Sequence, residues 1–271
     1  MPELPEVETT KRGVEPYLKN QTISFITTRN KNLRIPFNSG LKNKIIKSKI
    51  KNISRRAKYI TLDFANGYSV VIHLGMTGNL RVSKQTNFLK HDHIIFGLSS
   101  KNHLIFNDVR RFGLIQIYKT NEGFYLLNNN GPDPFEKKAT KDYLYKKIKN
   151  SSASIKSILL NHTIISGIGN IYASEILFKT KISPLKEGKD ITASQCNEIL
   201  KASRLILKKA IKAGGTTLND YFNAEAKPGY FKIQLNVYDR GGQRCKSCKS
   251  KIIRIVQSNR STFFCNKCQK T

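Results

Sequence analysis

The sequence predicts an α+β chain: a β-rich N-terminal domain behind one leading helix, then a helical domain carrying a small metal finger. Three observations predict it. Short β-prone runs crowd residues 21–118, helical apolar spacing dominates after Gly131-Pro132-Asp133-Pro134, and two CxxC pairs stand near the end. At 39% hydrophobic over 271 residues the chain can bury a core. No apolar run reaches the roughly 18 residues needed to cross a membrane.

The opening helix is legible from its residues. Pro5 suits the first turn, where a missing N–H costs nothing. Glu6 and Glu8 stand near the positive end of the helix dipole, and Val7, Val14 and Leu18 form an apolar face. Strand-like runs follow at 22–28, 59–64, 68–74, 93–98, 104–106 and 114–118, separated by turn residues as in a sandwich or barrel. The prolines at 132 and 134 predict a linker. Beyond it Ile155, Ile158, Leu159 and His162 fit one helix face, 172–178 a second helix and 193–213 a third. Gly167-Ile168-Gly169-Asn170 makes a tight turn between the first two. Around Lys227-Pro228-Gly229-Tyr230 the chain is expected to loosen before the cysteine module.

Charge narrows the partner. Against 48 Lys and Arg stand 18 Asp and Glu, a net charge of +30 that calls for a polyanion. A Lys-rich composition accounts for part of this. It does not account for the last forty residues, where from Lys232 onward the only acid is Asp239. A ribosomal protein or a binder of anionic membranes would also be basic, so charge alone names no chemistry.

The cysteines carry more. Cys245 and Cys248 form one CxxC, Cys265 and Cys268 another, with 16 residues between the pairs. Two such turns offer four thiolates that close a tetrahedron around one structural zinc ion, with no position left open for catalysis. The competing reading, two disulfides, is disfavoured because MPELPEVETT lacks the basic and apolar segments of an export signal. The same opening makes the cytoplasm the expected location. Cys196, in a helical pattern, reads as a core thiol. The runs 252–256 and 262–264 make the finger a β-hairpin with Arg260 near its tip, where an arginine by itself only touches phosphate.

The N-terminus is the second chemical signal. Glu3, Glu6, Glu8 and Glu15 fall within fifteen residues of a strongly basic protein. The helix dipole accounts for Glu6 and Glu8 but not for Glu3, which precedes the helix beside Pro2. With Met1 removed, Pro2 offers a secondary amine. The reference pKa of an α-amine, about 7.7–8.0, leaves a neutral, nucleophilic fraction at neutral pH. Attack on the C1′ of a sugar would give an iminium, with Glu3 adjacent as proton donor. The plain alternative, a chain that opens Met-Pro-Glu for no chemical reason, stays open on these residues alone.

MPELPEVET is similar to the N-terminus of the bacterial formamidopyrimidine-DNA glycosylases. So are Arg55-Arg56-Ala57-Lys58-Tyr59, His73-Leu74-Gly75-Met76-Thr77-Gly78, Lys90-His91-Asp92-His93 and Arg110-Arg111-Phe112-Gly113. The likeness continues through Gly167-Ile168-Gly169-Asn170-Ile171-Tyr172-Ala173, Gly214-Gly215-Thr216-Thr217-Leu218, Lys227-Pro228-Gly229-Tyr230-Phe231 and the finger, covering nearly the whole chain in order.

The resemblance implies a base-excision glycosylase that removes oxidised purines (8-oxoguanine, formamidopyrimidines) from damaged double-stranded DNA and cuts the strand by β,δ-elimination. It implies Pro2 as Schiff-base nucleophile, Glu3 as catalytic acid and Glu6 as the carboxylate bracing the N-terminus. Lys58 resembles the lysine that assists β-elimination, and Arg260 the finger arginine that holds phosphate and helps δ-elimination. His73, Lys156 and Asn170 resemble the backbone-binding set, and His91 a further DNA contact. Met76, Arg110 and Phe112 resemble the residues that enter the duplex when the lesion flips out, a role suited to apolar wedges and to an arginine facing the widowed base. The plain reading of Met76 and Phe112 is core packing.

The implied architecture is an N-terminal catalytic β-sandwich domain (1–131), a helical DNA-binding domain with a helix–two-turn–helix element (132–235) and a zinc finger (236–271). The implied state is a monomer with one structural zinc, no organic cofactor and no membrane. Ser151-Ser152 departs from the pattern, since relatives often carry lysines there. An endonuclease VIII-like preference for oxidised pyrimidines is disfavoured by MPELPE and the Met/Arg/Phe set. A catalytically inactive damage-binding protein and a basic zinc-ribbon protein of the ribosome or transcription machinery are the readings from other classes.

Overall fold

The computed structural model describes residues 2–216 and 234–270. Met1, Thr217-Leu218 and the motif at 227–231 lie outside the described residues. The described chain gathers into two compact units, residues 2–128 with 211–216, and residues 129–210 with 234–270.

The first unit opens with α1 (Leu4–Leu18), whose first turn holds Pro5. Its strands are β1 (Ile23–Thr28), β2 (Ile50–Arg56), β3 (Tyr59–Phe64), β4 (Tyr68–His73), β5 (Asn79–Ser83), β6 (Asp92–Leu98), β7 (His103–Asn107) and β8 (Leu114–Lys119). They form two four-stranded antiparallel sheets, in the orders β1-β6-β7-β5 and β2-β3-β4-β8. One continuous core fills the space between. Ile23, Ile94, Phe96, Leu80, Leu104 and Phe106 of one sheet meet Ile50, Ile60, Leu62, Val70, Ile72 and Ile115 of the other, with Val7, Val14 and Leu18 of α1 joining them. The sandwich alternative is therefore the correct one.

All six strand runs read from the sequence are strands. The two it missed, β2 and β5, are both sheet edges. β2 buries little beyond Ile50 and Ile53, and β5 only Leu80. An edge strand needs few apolar side chains and gains by carrying polar ones, so IKNISRR and NLRVS give no strand pattern.

The helices are α2 (Tyr125–Asn128), in the first unit, then α3 (Lys141–Ile148), α4 (Ile155–Leu160), α5 (Asn170–Lys179) and α6 (Ala193–Lys212). Ser154 caps α4 by accepting from Ser157 N, and Gly169 stands at the N-cap of α5. The expected linker at 131–134 is not a tether. Gly131 N donates to His162 O (2.9 Å), Ser166 N donates to Pro132 O (3.1 Å), and Asp133 is buried. A Cβ at Gly131 would lie 2.4 Å from Ile164 O, so glycine is there for close packing within the second unit.

The finger hairpin is β9 (Ile253–Gln257) paired with β10 (Arg260–Phe264). Ser258 (φ +47°) and Asn259 (φ +57°) form its two-residue turn, the left-handed pair expected between twisted strands. Arg260 is thus the first residue of β10 rather than part of the turn, and it is exposed. Val237, Ile252 and Phe263 pack with Cys245 and Cys265 in a small core.

Candidate functional site

The start of the chain is clamped by one carboxylate. Pro2, Glu3 and Glu6 are buried. Glu3 N donates to Glu6 Oε2 (2.8 Å), and Thr216 N donates to Glu6 Oε1 (2.8 Å). Gly214 and Gly215 bring the chain to that position at φ +77° and +85°, a region open to glycine. A Cβ on Gly215 would meet Glu6 Oε1 at 3.1 Å and Cγ at 3.2 Å. The glycines of the Gly214-Gly215-Thr216 motif therefore exist to let a backbone N–H reach Glu6. Glu3 also has a structural role that the sequence did not suggest, for it is the N-cap of α1 and forms a capping box with Glu6. Glu8 is held apart by Arg55 Nε (2.9 Å) and Arg12 Nε (2.7 Å). Burial raises its pKa, but these two guanidiniums outweigh it and hold the carboxyl below its usual range.

A second group of residues lines an open cleft of about 670 Å³: Asn32, Arg34, His73, Met76, Arg110 and Phe112, with Gly75 and Arg111. Two loops meet there with their backbones in close approach. Gly75 has φ +64°, and a Cβ on it would lie 2.4 Å from Gly113 N and from Phe112 C. Asp108, fully buried, ties the loops together: Oδ1 accepts from Thr77 Oγ1 (2.5 Å) and Oδ2 from Gly113 N (2.8 Å). Thr77 Oγ1 in turn accepts from Arg110 N (3.1 Å). The result is that Met76 (38% exposed) and Phe112 (46% exposed) project into solvent rather than into the core, with the Arg110 guanidinium 4.8 Å from the Phe112 ring centre.

Lys58 sits in the two-residue turn between β2 and β3, after Ala57 at φ +54°. Its charge reaches His73. Burial, then Lys58, then Arg34 push the His73 pKa down to about 3, so the ring is neutral at physiological pH. Gly75 N donates to His73 Nδ1 (3.0 Å), which leaves the proton on Nε2 as a donor. Of the first unit's expected contacts, His73, Met76, Arg110 and Phe112 share the cleft. His91 is half-buried, lies edge-on to His93 at 6.3 Å, and is not among the cleft's lining residues. Asp108 and Arg34 are the residues sequence reading missed. An isolated acid two residues before Arg110-Arg111-Phe112-Gly113, in a chain so poor in acids, was the signal for Asp108.

In the second unit Lys156 is buried at 1% exposure. Its Nζ donates to Ser261 O (3.0 Å) and Thr262 Oγ1 (2.6 Å). Asn170 Nδ2 donates to the same Ser261 O (2.9 Å). Both residues expected on phosphate therefore grip the finger hairpin, one residue from Arg260.

Cys245, Cys248, Cys265 and Cys268 bring their sulfurs within 4.8 Å of one another. Cys245 and Cys268 Sγ are 3.9 Å apart, Cys248 and Cys265 Sγ 3.4 Å. These separations exceed a disulfide bond and bracket the roughly 3.8 Å edge of a tetrahedron with Zn–S of about 2.3 Å. The left-handed Lys249 (φ +65°) and the bond from Lys249 N to Cys245 O shape the first knuckle. The four residues fit one structural zinc. Among the described residues no helix is long and apolar enough to cross a membrane.

Three family models match the chain: the formamidopyrimidine-DNA glycosylase N-terminal domain over residues 1–115, the formamidopyrimidine-DNA glycosylase H2TH domain over 130–221, and a zinc finger found in FPG and IleRS over 242–271. The chain is 45% identical over 273 residues to the formamidopyrimidine-DNA glycosylase of Rickettsia africae, covering 99% of each, and 43% identical to that of Rickettsia bellii, covering 100% of each. It is similar to the MutM (FPG) protein of Thermus thermophilus (TM-score 0.89, 32% identity, 99% of this chain and 98% of that one). It is also similar to Lactococcus lactis Fpg bound to DNA containing an abasic site (TM-score 0.90, 31% identity) or an oxidised pyrimidine (TM-score 0.90, 32% identity), each covering both chains fully.

Three outcomes test this geometry. Asp108→Ala removes the acceptor of both loop bonds and should cost on the order of 3 kcal/mol in denaturant melts, while the Met76 and Phe112 loops lose protection from hydrogen exchange. Wild-type protection there would show that Asp108 does not hold them. His73 should keep its Nε2–H tautomer from pH 8 to pH 5 in ring-nitrogen NMR of the free protein, and a midpoint between 5 and 7 would contradict the assignment. Because its folded pKa lies below the unfolded value, the folded state resists a proton that the unfolded chain accepts. The His73 contribution is intact above about pH 6.5 and declines as pH falls toward 3. Metal analysis should find one zinc per chain, lost on Cys248→Ser, with the sandwich still folded by circular dichroism; metal-free protein with an ordered finger would refute the site.

Proposed function

The chain belongs to the formamidopyrimidine-DNA glycosylase family, and we propose that its reaction runs from the buried Pro2-Glu3-Glu6 start, with the duplex held by the cleft residues and the finger. As a member it is a base-excision DNA glycosylase and AP lyase with a structural zinc, acting on oxidised purines in damaged DNA.

With Met1 removed, a fraction of the Pro2 amine is neutral at neutral pH and carries a free lone pair. It attacks C1′ of the flipped nucleotide, the bond from C1′ to the base breaks, and the bonding pair leaves with the base. Glu3, its neighbour, supplies the proton that makes the base a better leaving group. The nitrogen gives up its proton and its lone pair drives cleavage of the C1′–O4′ bond, O4′ taking a proton as the sugar ring opens. The iminium so formed acidifies C2′; loss of that proton expels the 3′ phosphate, and loss of a further proton, from C4′, expels the 5′ phosphate. Lys58 assists the first elimination and Arg260 the second. Glu6 holds the nucleophile's backbone through Glu3 N. Met76, Arg110 and Phe112 enter the space the base leaves, and their exposure supports that role over core packing. Neutral His73 offers phosphate a hydrogen bond from Nε2, beside Arg34 and Lys58. His91 and Asn170 complete the DNA-facing set. The zinc supplies no chemistry; its four thiolates hold the hairpin that carries Arg260.

The division into a catalytic part (1–131), a DNA-binding helical part (132–235) and a finger (236–271) is supported by the three family matches. We take the protein to act as a monomer in a bacterial cytoplasm, on the nucleoid; the bacterial relatives support the setting. Oxidised pyrimidines are a second substrate class, favoured by the Lactococcus lactis complex with such DNA.

The carrying observation is the buried, doubly bonded Glu6 behind Pro2 and Glu3. Borohydride should trap a covalent adduct between the protein and an 8-oxoguanine duplex. Pro2→Gly should impair trapping, and a blocked N-terminus should abolish it. Robust trapping by the blocked protein would move the nucleophile to a lysine, and none by the wild type would leave a damage-binding protein. Glu3→Gln should lower base excision by about 10²–10³-fold while sparing more of the cleavage of a preformed abasic site. Equal losses on both substrates would refute Glu3 as the acid for base departure.

A further inference from the structure

We propose that Lys156 serves the reaction through Arg260: its buried ammonium is a positioning group that fixes β10 next to the finger arginine, and it does not itself touch DNA. This rests on the reading of the chain as a DNA glycosylase whose Arg260 holds phosphate.

A buried lysine needs an explanation, because desolvating an ammonium is costly and an apolar side chain would fill the same space at lower cost. Lys156, at 1% exposure, directs Nζ to Ser261 O (3.0 Å) and Thr262 Oγ1 (2.6 Å), across 105 and 106 residues of sequence. Asn170 adds a second donor to Ser261 O at 2.9 Å. One donor comes from α4 and the other from the first residue of α5, so both helices flanking the Gly167-Ile168-Gly169 turn converge on a single carbonyl. The Ser261 hydroxyl is held too, accepting from the Arg254 guanidinium at 3.2 Å.

That carbonyl belongs to the residue after Arg260. The hairpin has only two strands, and Ser258, Asn259 and Arg260 at its end are all exposed. A two-stranded hairpin is marginal by itself, so the direction of Arg260 depends on what holds Ser261 and Thr262. A charged donor holds a carbonyl more firmly than a neutral one. A displacement of about 1 Å at a group that must meet phosphate is enough to cost 10²-fold in rate. A buried charge kept for geometry fits that requirement; a buried charge kept for binding DNA does not, because it has no face toward the ligand.

The test is a double-mutant cycle read through salt dependence, on a duplex carrying an uncleavable abasic analogue. Arg260→Ala should flatten the slope of log K against log salt by about one unit, the loss of one phosphate contact. Lys156→Met, similar in volume but uncharged, should flatten it by the same unit, and the double variant by one unit in all. A two-unit change in the double variant would make Lys156 an independent phosphate contact. A wild-type slope in Lys156→Met, whether affinity is kept or falls equally in both backgrounds, would make the lysine purely structural; either result overturns the proposal. If Lys156→Met does not fold with its zinc in place, Thr262→Val removes one acceptor alone. It should weaken binding by the wild type several-fold and leave Arg260→Ala unchanged; equal weakening in both would overturn the proposal. Failure of the underlying reading looks different: Arg260→Ala keeps the wild-type slope, or the wild type forms no borohydride adduct.

Discussion

The structure depends first on the Glu6 carboxylate. It accepts the N–H of Glu3 on one oxygen and the N–H of Thr216 on the other, a residue 210 positions away. A carboxylate that accepts two backbone N–H groups is oriented by them as well as solvated. The first bond falls on the residue after Pro2, so backbone hydrogen bonding holds the start of the chain. The demand spreads outward: Gly215 must be glycine so that Glu6 has room, and α1 must begin at Leu4 so that Glu3 can cap it.

The same device recurs where the chain needs rigidity. Asp108 joins the loops bearing Met76 and Phe112, and Glu175 accepts from Asn236, Val237 and Tyr238 to hold the entry to the finger. In a protein of +30 the acids are few, and Glu3, Glu6, Asp92, Asp108, Asp133 and Glu175 are buried. The net charge favours the approach of phosphate. His73 follows the same logic from the other side. Burial first, and then its positive neighbours, keep it neutral, so it offers a hydrogen bond without adding another buried charge.

Much was legible in the residues. Cys245, Cys248, Cys265 and Cys268 declare a zinc site because metal coordination is written in residue type and local spacing. The helices from Ile155 onward are legible because their apolar faces repeat every three or four residues, and the inner strands because they are nearly all apolar. The strands β2 and β5 are not, since each buries only one or two apolar side chains and leaves too little apolar pattern to read. The segment 131–134 looked like a tether because prolines break helices wherever they stand; that it is packed depends on Ile164 and His162, thirty residues on.

By itself the sequence determined the class of fold, the metal centre and the polyanionic partner. These rest on residue identity and short-range spacing. Only the tertiary structure decided that Met76 and Phe112 are exposed, that Asp108 locks two loops, and that the Lys156 ammonium grips a hairpin. Each of those depends on a bond or a burial between positions far apart in the chain, and the physical chemistry of a lysine or an aspartate is the same at the surface and in the core until the fold says which surrounds it.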